Sequence, residues 1–310
     1  MMKLMKANKI FITPEEVYQY LQDDSLDVVL LDMPYGKHEY IKDVDEKKRK
    51  FEDAHLPGAR HIVKEEVDDA EHDLNIRDAE SIRDVFLAKG VTKDTLVITY
   101  SDGIIASARI ALIAYWLGVQ NVKIMAGNLK NWEDLGYPLA HGKEEKLADP
   151  PAEFGCPVPG RPGTILLTPA DVMAKKENDP QFVLASLRSV QEFTGNDTGY
   201  SYVKDAGTPC DSAYAKGSTH RTNVEEIIDD EGHWGNTEEI LASWEKNGLT
   251  KDKHIAFFCG AGWRAAIGFF FALEQGYPHV AVYDGGWYQW LKYYHQDPKK
   301  YAIEKGKVID

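Results

Sequence analysis

Cysteine is scarce in this chain, with three residues, Cys156, Cys210 and Cys259, in 310. Their spacing offers neither a Cys-x-x-Cys redox pair nor a four-ligand zinc pattern, and an odd count does not suggest a disulfide scaffold. Long apolar runs are missing too, and those present are too short and too interrupted to span a bilayer, so no membrane partner is expected. Basic side chains are in deficit, 36 Lys and Arg against 50 Asp and Glu, for a net charge of -14. A nucleic-acid backbone would meet net repulsion, so no nucleic-acid partner is expected. No Gly-x-Gly-x-x-Gly follows a strand pattern and the histidines are scattered, which leaves no motif for a nicotinamide, haem or metal cofactor. No acid pair stands apart as glycosidase machinery. The basic stretch Met1–Lys9 runs almost at once into Thr13-Pro14-Glu15-Glu16. That leaves no room for the apolar core of a secretory signal, and a cytoplasmic location is the expectation.

What the chain does have is a globular composition, 43% hydrophobic and 28% charged, and length for two domains. It also has an internal repeat. Gly90-Val91-Thr92-Lys93-Asp94 recurs as Gly248-Leu249-Thr250-Lys251-Asp252, an offset of 158. The same offset pairs Gly118 with Gly276, Val122 with Val280, Gly127 with Gly285 and Trp132 with Trp290. Upstream, Thr13–Val17 answers Thr168–Val172, Glu39-Tyr40 answers Glu192-Phe193, and Gly58 answers Gly217. The changing offsets mark loop insertions, which surface connections tolerate. Each copy reads as strand and helix in alternation. In the second, Ile255–Phe258 is a strand, Arg264–Gln275 a helix ended by Gly276, and Ala281–Tyr283 the next strand. In the first, Leu96–Tyr100 and Lys123–Met125 are strands around a helix at Ser107–Leu117. The fold class is therefore α/β: two tandem domains, each a mostly parallel sheet flanked by helices on both faces. A Pro- and Gly-rich stretch, 149–163, reads as an extended linker between domains 1–148 and 164–310; Cys156 lies in it and has no role by default. The run Lys47–Lys50 reads as a solvated loop beside the acidic run Asp43–Glu46.

The chemistry points to one loop. The apolar strand runs straight into Cys259-Gly260-Ala261-Gly262-Trp263-Arg264 and then a helix. This places the thiol at the carboxyl end of a parallel strand, where open sheets present their ligand sites. The two glycines let the backbone curl with amide N–H groups facing inward. Together with the start of the helix they form a concave anion site that also stabilises a thiolate. A cradled thiolate can attack an electrophilic sulfur that carries an anionic leaving group, giving a persulfide whose outer sulfur passes to a second nucleophile. Trp263 either lines the pocket mouth or packs against the neighbouring domain, and Arg264 is placed to close the anion pocket. In the first copy Ser101 stands at the Cys259 position, Ile104 at Gly262 and Ala106 at Arg264. A serine without an activating partner does not replace a thiolate. That domain is expected to be silent and to serve as a wall of the cleft.

These residues, together with Val183–Ser189, Glu192-Phe193 and Val282–Trp287 with Trp290, resemble the tandem-domain rhodaneses, the family of thiosulfate and 3-mercaptopyruvate sulfurtransferases. In the first domain the likeness rests on Leu30-Leu31-Asp32 with Glu39-Tyr40, on His55-Leu56-Pro57-Gly58-Ala59, and on Gly127 with Trp132. The resemblance implies a persulfide on Cys259 and a cleft between an inactive first domain and an active second one. It also implies that Arg188 binds the anionic part of the donor; a guanidinium after the strand 182–185 suits bidentate recognition of a carboxylate or sulfonate-like group. The competing reading is a surface arginine paired with Glu192. His55 matches a histidine proposed in some mercaptopyruvate-type members to assist proton transfer, and a structural turn histidine is the alternative; His220 has no such match. Three departures bear on the donor. Ser186 stands where the family has an Asp, Ala261 stands where mercaptopyruvate-type loops carry a hydroxyl, and the extra basic residues of thiosulfate-type loops are absent.

The expected activity is transfer of a sulfane sulfur from a small anionic donor, thiosulfate slightly favoured over 3-mercaptopyruvate. The acceptor would be cyanide, a small thiol or a thioredoxin-like protein, and no cofactor is needed. A cysteine phosphatase would need five residues between cysteine and arginine, whereas four separate Cys259 from Arg264. A non-catalytic sulfur-binding or sensing module is the remaining alternative.

Overall fold

The computed structural model describes residues 9–34, 50–69, 71, 73–144, 146–199, 203–214 and 226–305. Glu39-Tyr40, the charged run 43–49, Gly217 and His220 lie outside the described residues.

The chain divides into two compact units. The first comprises the residues up to Asp68, Arg77–Pro162 and Asp229–His233; the second comprises Asp69–Ile76, Gly163–Ile228 and the residues from Trp234 on. In the first unit the strands are β1 (Phe11–Ile12), β2 (Val28–Asp32), β3 (Arg60–His61), β4 (Leu96–Tyr100) and β5 (Asn121–Met125). They form one sheet in the order β1-β5-β4-β2-β3, parallel throughout. In the second unit β6 (Ile165–Leu166), β7 (Phe182–Ser186), β8 (Ala213–Tyr214), β9 (His254–Phe258) and β10 (Val280–Tyr283) lie in the order β8-β7-β9-β10-β6, again all parallel. Read from its other edge, the second order is the first. The repeat in the sequence is thus a repeat of topology.

The helices that flank the sheets follow from local chemistry. α1 (Pro14–Leu21) and its counterpart α5 (Pro169–Asn178) both begin with Pro in the first turn behind a Thr capping box, at Thr13 with Glu16 and at Thr168 with Asp171. α2 (Ala79–Ala88) and α7 (Thr237–Lys246) start at the caps Asp78 and Asn236. α3 (Ile104–Leu117) is apolar on nearly every side and buried along its length, and α8 (Trp263–Glu274) is its equivalent in the second unit. α4 (Leu129–Asp134) is capped by Asn128; α6 (Val190–Thr194) and α9 (Gly286–Gln296) complete the second unit. Each core gathers around aromatic anchors, Trp132 with Phe51 and Tyr100 in the first unit and Trp287, Trp290 and Tyr283 in the second. Among the described residues no helix is long and apolar enough to cross a membrane.

Two features differ from the expectation. Residues 149–162 are not a free connector but pack on the first unit. Lys93 donates its N–H to Phe154 O at 2.8 Å, Gly160 to Leu117 O at 2.8 Å and Arg161 to Trp116 O at 3.0 Å. The Arg161 guanidinium reaches Tyr115 O at 2.6 Å and Val119 O at 3.0 Å, so it closes the carboxyl end of α3, where carbonyls lack partners of their own. A Cβ at Gly160 would lie 2.8 Å from Gly118 Cα, so the close approach requires glycine. The second difference is that the short segments 69–76 and 229–233 each belong to the unit of the other repeat. Within the second unit, Ile76 N–H bonds Asp284 Oδ2 at 2.8 Å and Asn75 Nδ2 bonds Leu167 O at 2.8 Å. Within the first, Asn128 Nδ2 bonds Asp230 O at 3.1 Å.

Candidate functional site

β9 delivers Cys259 at its carboxyl end. The thiol residue is 1% exposed, and the whole run Cys259–Arg264 is buried. The turn is possible because Gly262, the cap residue of α8, sits at φ +75°, the left-handed region that a side chain resists. Two hydrogen bonds set the orientation of the loop. Trp287 donates its N–H to Cys259 O at 2.8 Å and Tyr288 donates to Gly260 O at 2.9 Å, so the first turn of α9 takes up both carbonyls. A trans peptide points its N–H opposite to its C=O. The N–H groups of Gly260 and Ala261 therefore face away from α9. Gly286, at φ +54°, permits this arrangement, since a Cβ there would lie 2.6 Å from Gly260 O and 2.7 Å from Cys259 O. α8 begins behind the loop with no acidic residue in its first turn and no side-chain cap, so its N-terminal dipole is not cancelled locally.

Behind the loop, two cations share one anion. Arg264 binds Glu192 through both terminal nitrogens, Nη2 to Oε1 at 2.9 Å and Nη1 to Oε2 at 3.1 Å, and Arg188 Nε lies 3.5 Å from the same carboxylate. Glu192 also receives the Ser189 N–H at 2.8 Å, which closes the capping box of α6. Burial opposes its ionisation. The charge of Arg264, the hydrogen bonds from Arg264, the charge of Arg188 and the Ser189 amide outweigh that penalty and lower its pKa to about 2. Two guanidinium groups thus share this one carboxylate. Gly199, at φ +82°, leaves space for the carboxylate; a Cβ there would meet Glu192 Oε1 at 2.1 Å.

The arginines therefore differ from the sequence expectation in one respect. Arg188 is fully buried and is not a surface residue: it donates to Gly207 O, stacks over the Trp287 ring at 4.7 Å and lies beside Glu192. Arg264, 3% exposed, is likewise turned onto Glu192. Ser186 Oγ accepts the backbone N–H of Arg188 at 3.1 Å. Trp263 is buried at the start of α8. Sequence reasoning treated Glu192 as a partner for Arg188 alone. Its role as common counter-ion to both arginines depends on a contact across 72 positions that spacing cannot reveal.

In the first unit, Ser101 occupies the equivalent strand end and is 1% exposed, with its Oγ bonded to Met33 O at 2.5 Å. The start of α3, equivalent to the start of α8, is already occupied by a protein carboxylate: Asp230 Oδ1 accepts the Ile104 N–H at 2.9 Å. His55 is buried in this unit, with Nδ1 2.8 Å from Phe51 O and its ring stacked on Phe51 at 3.9 Å between centroids. Cys156 is wedged against the end of α3, where a Cβ on Gly118 would meet its Sγ at 2.8 Å. At Cys210, partial burial and the charges of Glu304 and Asp211 raise the thiol pKa, which disfavours a thiolate there.

The comparisons with known proteins bear on the family and the fold. The model of the rhodanese-like domain matches twice, at residues 13–135 and 168–293. This chain belongs to the rhodanese-like family. It is 32% identical over 247 residues to the thiosulfate sulfurtransferase YnjE of Escherichia coli, spanning 79% of this chain and 55% of that protein, little more than half its length. The solved structure of YnjE superposes with a TM-score of 0.81 at 26% identity, covering 96% of this chain and 68% of that one. The sulfur carrier protein TtuD of Thermus thermophilus is 27% identical over 300 residues, 91% of this chain and 93% of its own. A solved EanB variant, with a cysteine persulfide in a tetrahedral intermediate state with ergothioneine, has a TM-score of 0.81 at 25% identity, covering 99% of this chain and 73% of that one.

Proposed function

We propose that this rhodanese-like protein is a sulfurtransferase that carries sulfane sulfur as a persulfide on Cys259. The observation that carries the reading is the pair of hydrogen bonds from α9 to the carbonyls of Cys259 and Gly260, which turn the following amides away from α9 and leave them available to a charge in the loop. Amides so fixed stabilise negative charge without reorganising during the reaction, and the N-terminus of α8 adds to the same field. In the first half-reaction the Cys259 thiolate attacks the outer sulfur of thiosulfate. An S–S bond forms to Sγ, the S–S bond of the donor breaks, and its electron pair leaves with sulfite. In the second, cyanide or a thiolate attacks the outer sulfur, and Cys259 departs as thiolate. Arg188 and Arg264, the cations gathered on Glu192, draw an anionic donor towards the loop. His55 enters neither step.

Thiosulfate is favoured over 3-mercaptopyruvate because Ala261 gives the loop no hydroxyl to assist a carbonyl-bearing donor. The sulfurtransferase named among the relatives supports the chemistry, and the persulfide seen in EanB supports its form. The likeness to EanB, solved in complex with hercynine, a trimethyl histidine, also favours a second reading in which the acceptor is a histidine betaine of that kind rather than cyanide or a thiol. Initial-rate kinetics test the scheme. With donor varied at several fixed acceptor concentrations, parallel double-reciprocal lines are expected, because the first product leaves before the acceptor enters. Intersecting lines would contradict the relay. A larger kcat/KM for 3-mercaptopyruvate than for thiosulfate would reverse the donor assignment, and turnover with hercynine as acceptor would establish the second reading.

A further inference from the structure

Segment 69–76, counted with the second unit, grips the turn and the helix that hold the sulfur loop. Asp284, fully buried after β10, accepts the Ile76 N–H at 2.8 Å. On α9, Gln289 and Lys292 lie three positions apart and therefore on one face of the helix. Both meet Asp73: Gln289 donates its Nε2 to Asp73 Oδ2 at 3.3 Å, and the Lys292 ammonium pairs with Asp73 Oδ1. Gln289 is 2% exposed, and its Oε1 accepts the Tyr283 hydroxyl at 3.2 Å. One side chain thus ties the end of β10, the helix and the segment together. Gly285 leaves room for it, since a Cβ there would collide with Gln289 Oε1.

Asp73 and Leu74 are consecutive side-chain-bearing residues at φ +63° and +62°. That region crowds Cβ against the backbone, and such conformations persist where their surroundings hold them, most often at functional sites. The counterpart segment is used differently. At the repeat offset of 158, 69–76 corresponds to 227–234, which contains the segment 229–233 of the first unit. There the Asp230 carboxylate takes the Ile104 N–H at the start of α3, whereas the Asp73 carboxylate is turned onto the side of α9. The two segments have diverged: one caps the helix of the silent unit, and the other braces the helix that holds the sulfur loop.

We propose that Asp73 is a positioning residue for Cys259: its carboxylate holds α9 through Gln289 and Lys292, and α9 in turn holds the two carbonyls that orient the loop amides. This role rests on the sulfurtransferase reading of Cys259. The test is the rate of Cys259 alkylation by iodoacetamide against pH in the full chain, read by peptide mass, alongside steady-state turnover of thiosulfate with cyanide. Asp73→Gly removes the carboxylate and accepts the positive φ without strain. Its alkylation profile is expected to move up by about half a pH unit or more, because amides that drift from the loop stabilise the thiolate less. Its kcat is expected to fall at least about threefold with KM for thiosulfate within about twofold, as for an interaction made in the transition state. Asp73→Asn, which keeps an oxygen for Gln289, is expected to lie between that variant and the wild type. Lys292→Met, at a half-exposed position on α9, is the second variant should Asp73→Gly fail to fold, with a shift in the same direction. Profiles of both variants coinciding with the wild type, or a rise in KM at unchanged kcat, would overturn the role of Asp73. Alkylation needs no sulfur donor. A wild type that takes no sulfur from thiosulfate therefore sinks the sulfurtransferase reading, while the alkylation profile still decides the role of Asp73.

Discussion

Replacing Glu192 by Gln removes the anion shared by Arg188 and Arg264 while keeping its shape. Glu192 is 2% exposed and both arginines are buried, so the variant takes from two buried guanidinium groups the carboxylate they share. Breaking a buried ion pair from one side costs roughly 3–5 kcal/mol. The depressed pKa gives a second figure: a fall from 4.5 to about 2, at about 1.36 kcal/mol per decade, corresponds to something on the order of 3 kcal/mol. The two arguments agree in size. Because the folded-state pKa lies below the unfolded one, this stabilisation is complete above about pH 4.5 and disappears as the pH falls towards 2. Urea unfolding followed by tryptophan fluorescence reads it, since Trp287 stacks on Arg188. Two compact units call for analysis with two transitions rather than one. At pH 7 one transition is expected to weaken by about 3 kcal/mol in Glu192→Gln, with the gap to wild type closing between pH 4.5 and 2. A loss below about 1 kcal/mol, the range of an exposed pair, would refute the reasoning. So would a gap that does not change with pH.

Other perturbations separate the loop from its supports. Gly286→Ala forces a side chain into the left-handed region and against the carbonyls of Cys259 and Gly260. Sulfur loading from thiosulfate is expected to slow at least about tenfold with the circular dichroism of the fold retained, and an unchanged rate would remove α9 from the account of the cradle. Ser101→Cys in a Cys259→Ser background restores a thiol to the silent unit. Loading below about one hundredth of the wild-type rate is expected, because the Asp230 carboxylate holds the start of α3. Rapid loading at Ser101→Cys would show that a thiol alone is enough.

Much of this architecture was legible because buried parallel strands and glycine-bounded helices leave strong local signals. Leu96–Tyr100 is a strand with the expected bounds, and the strand expected at 255–258 gains only His254. The helix expected from Arg264 starts one residue earlier, at Trp263, because Gly262 is its cap; the helix expected from Ser107 starts at Ile104, behind Gly103. What sequence could not show is held by isolated long-range bonds. Segments 69–76 and 229–233 are short and polar and carry no periodicity, yet Ile76 binds Asp284 and Asp230 binds Ile104. The stretch 149–162 has the composition of a linker, but its carbonyl and amide groups, with Arg161, satisfy the first unit around α3. Arg188 sits at the spacing of a donor-binding residue, and only the fold shows that it is buried against Glu192, Gly207 and Trp287.

The central claim is that one sulfur atom resides on Cys259 between two half-reactions. Intact-protein mass spectrometry after brief exposure to thiosulfate, and separately to 3-mercaptopyruvate, tests it most directly, with Cys259→Ser alongside. The account predicts a gain of one sulfur, about 32 Da, in the wild type, its loss on adding cyanide or a thiol, and no gain in the variant. An equal gain in Cys259→Ser, or none in the wild type with either donor, would contradict it.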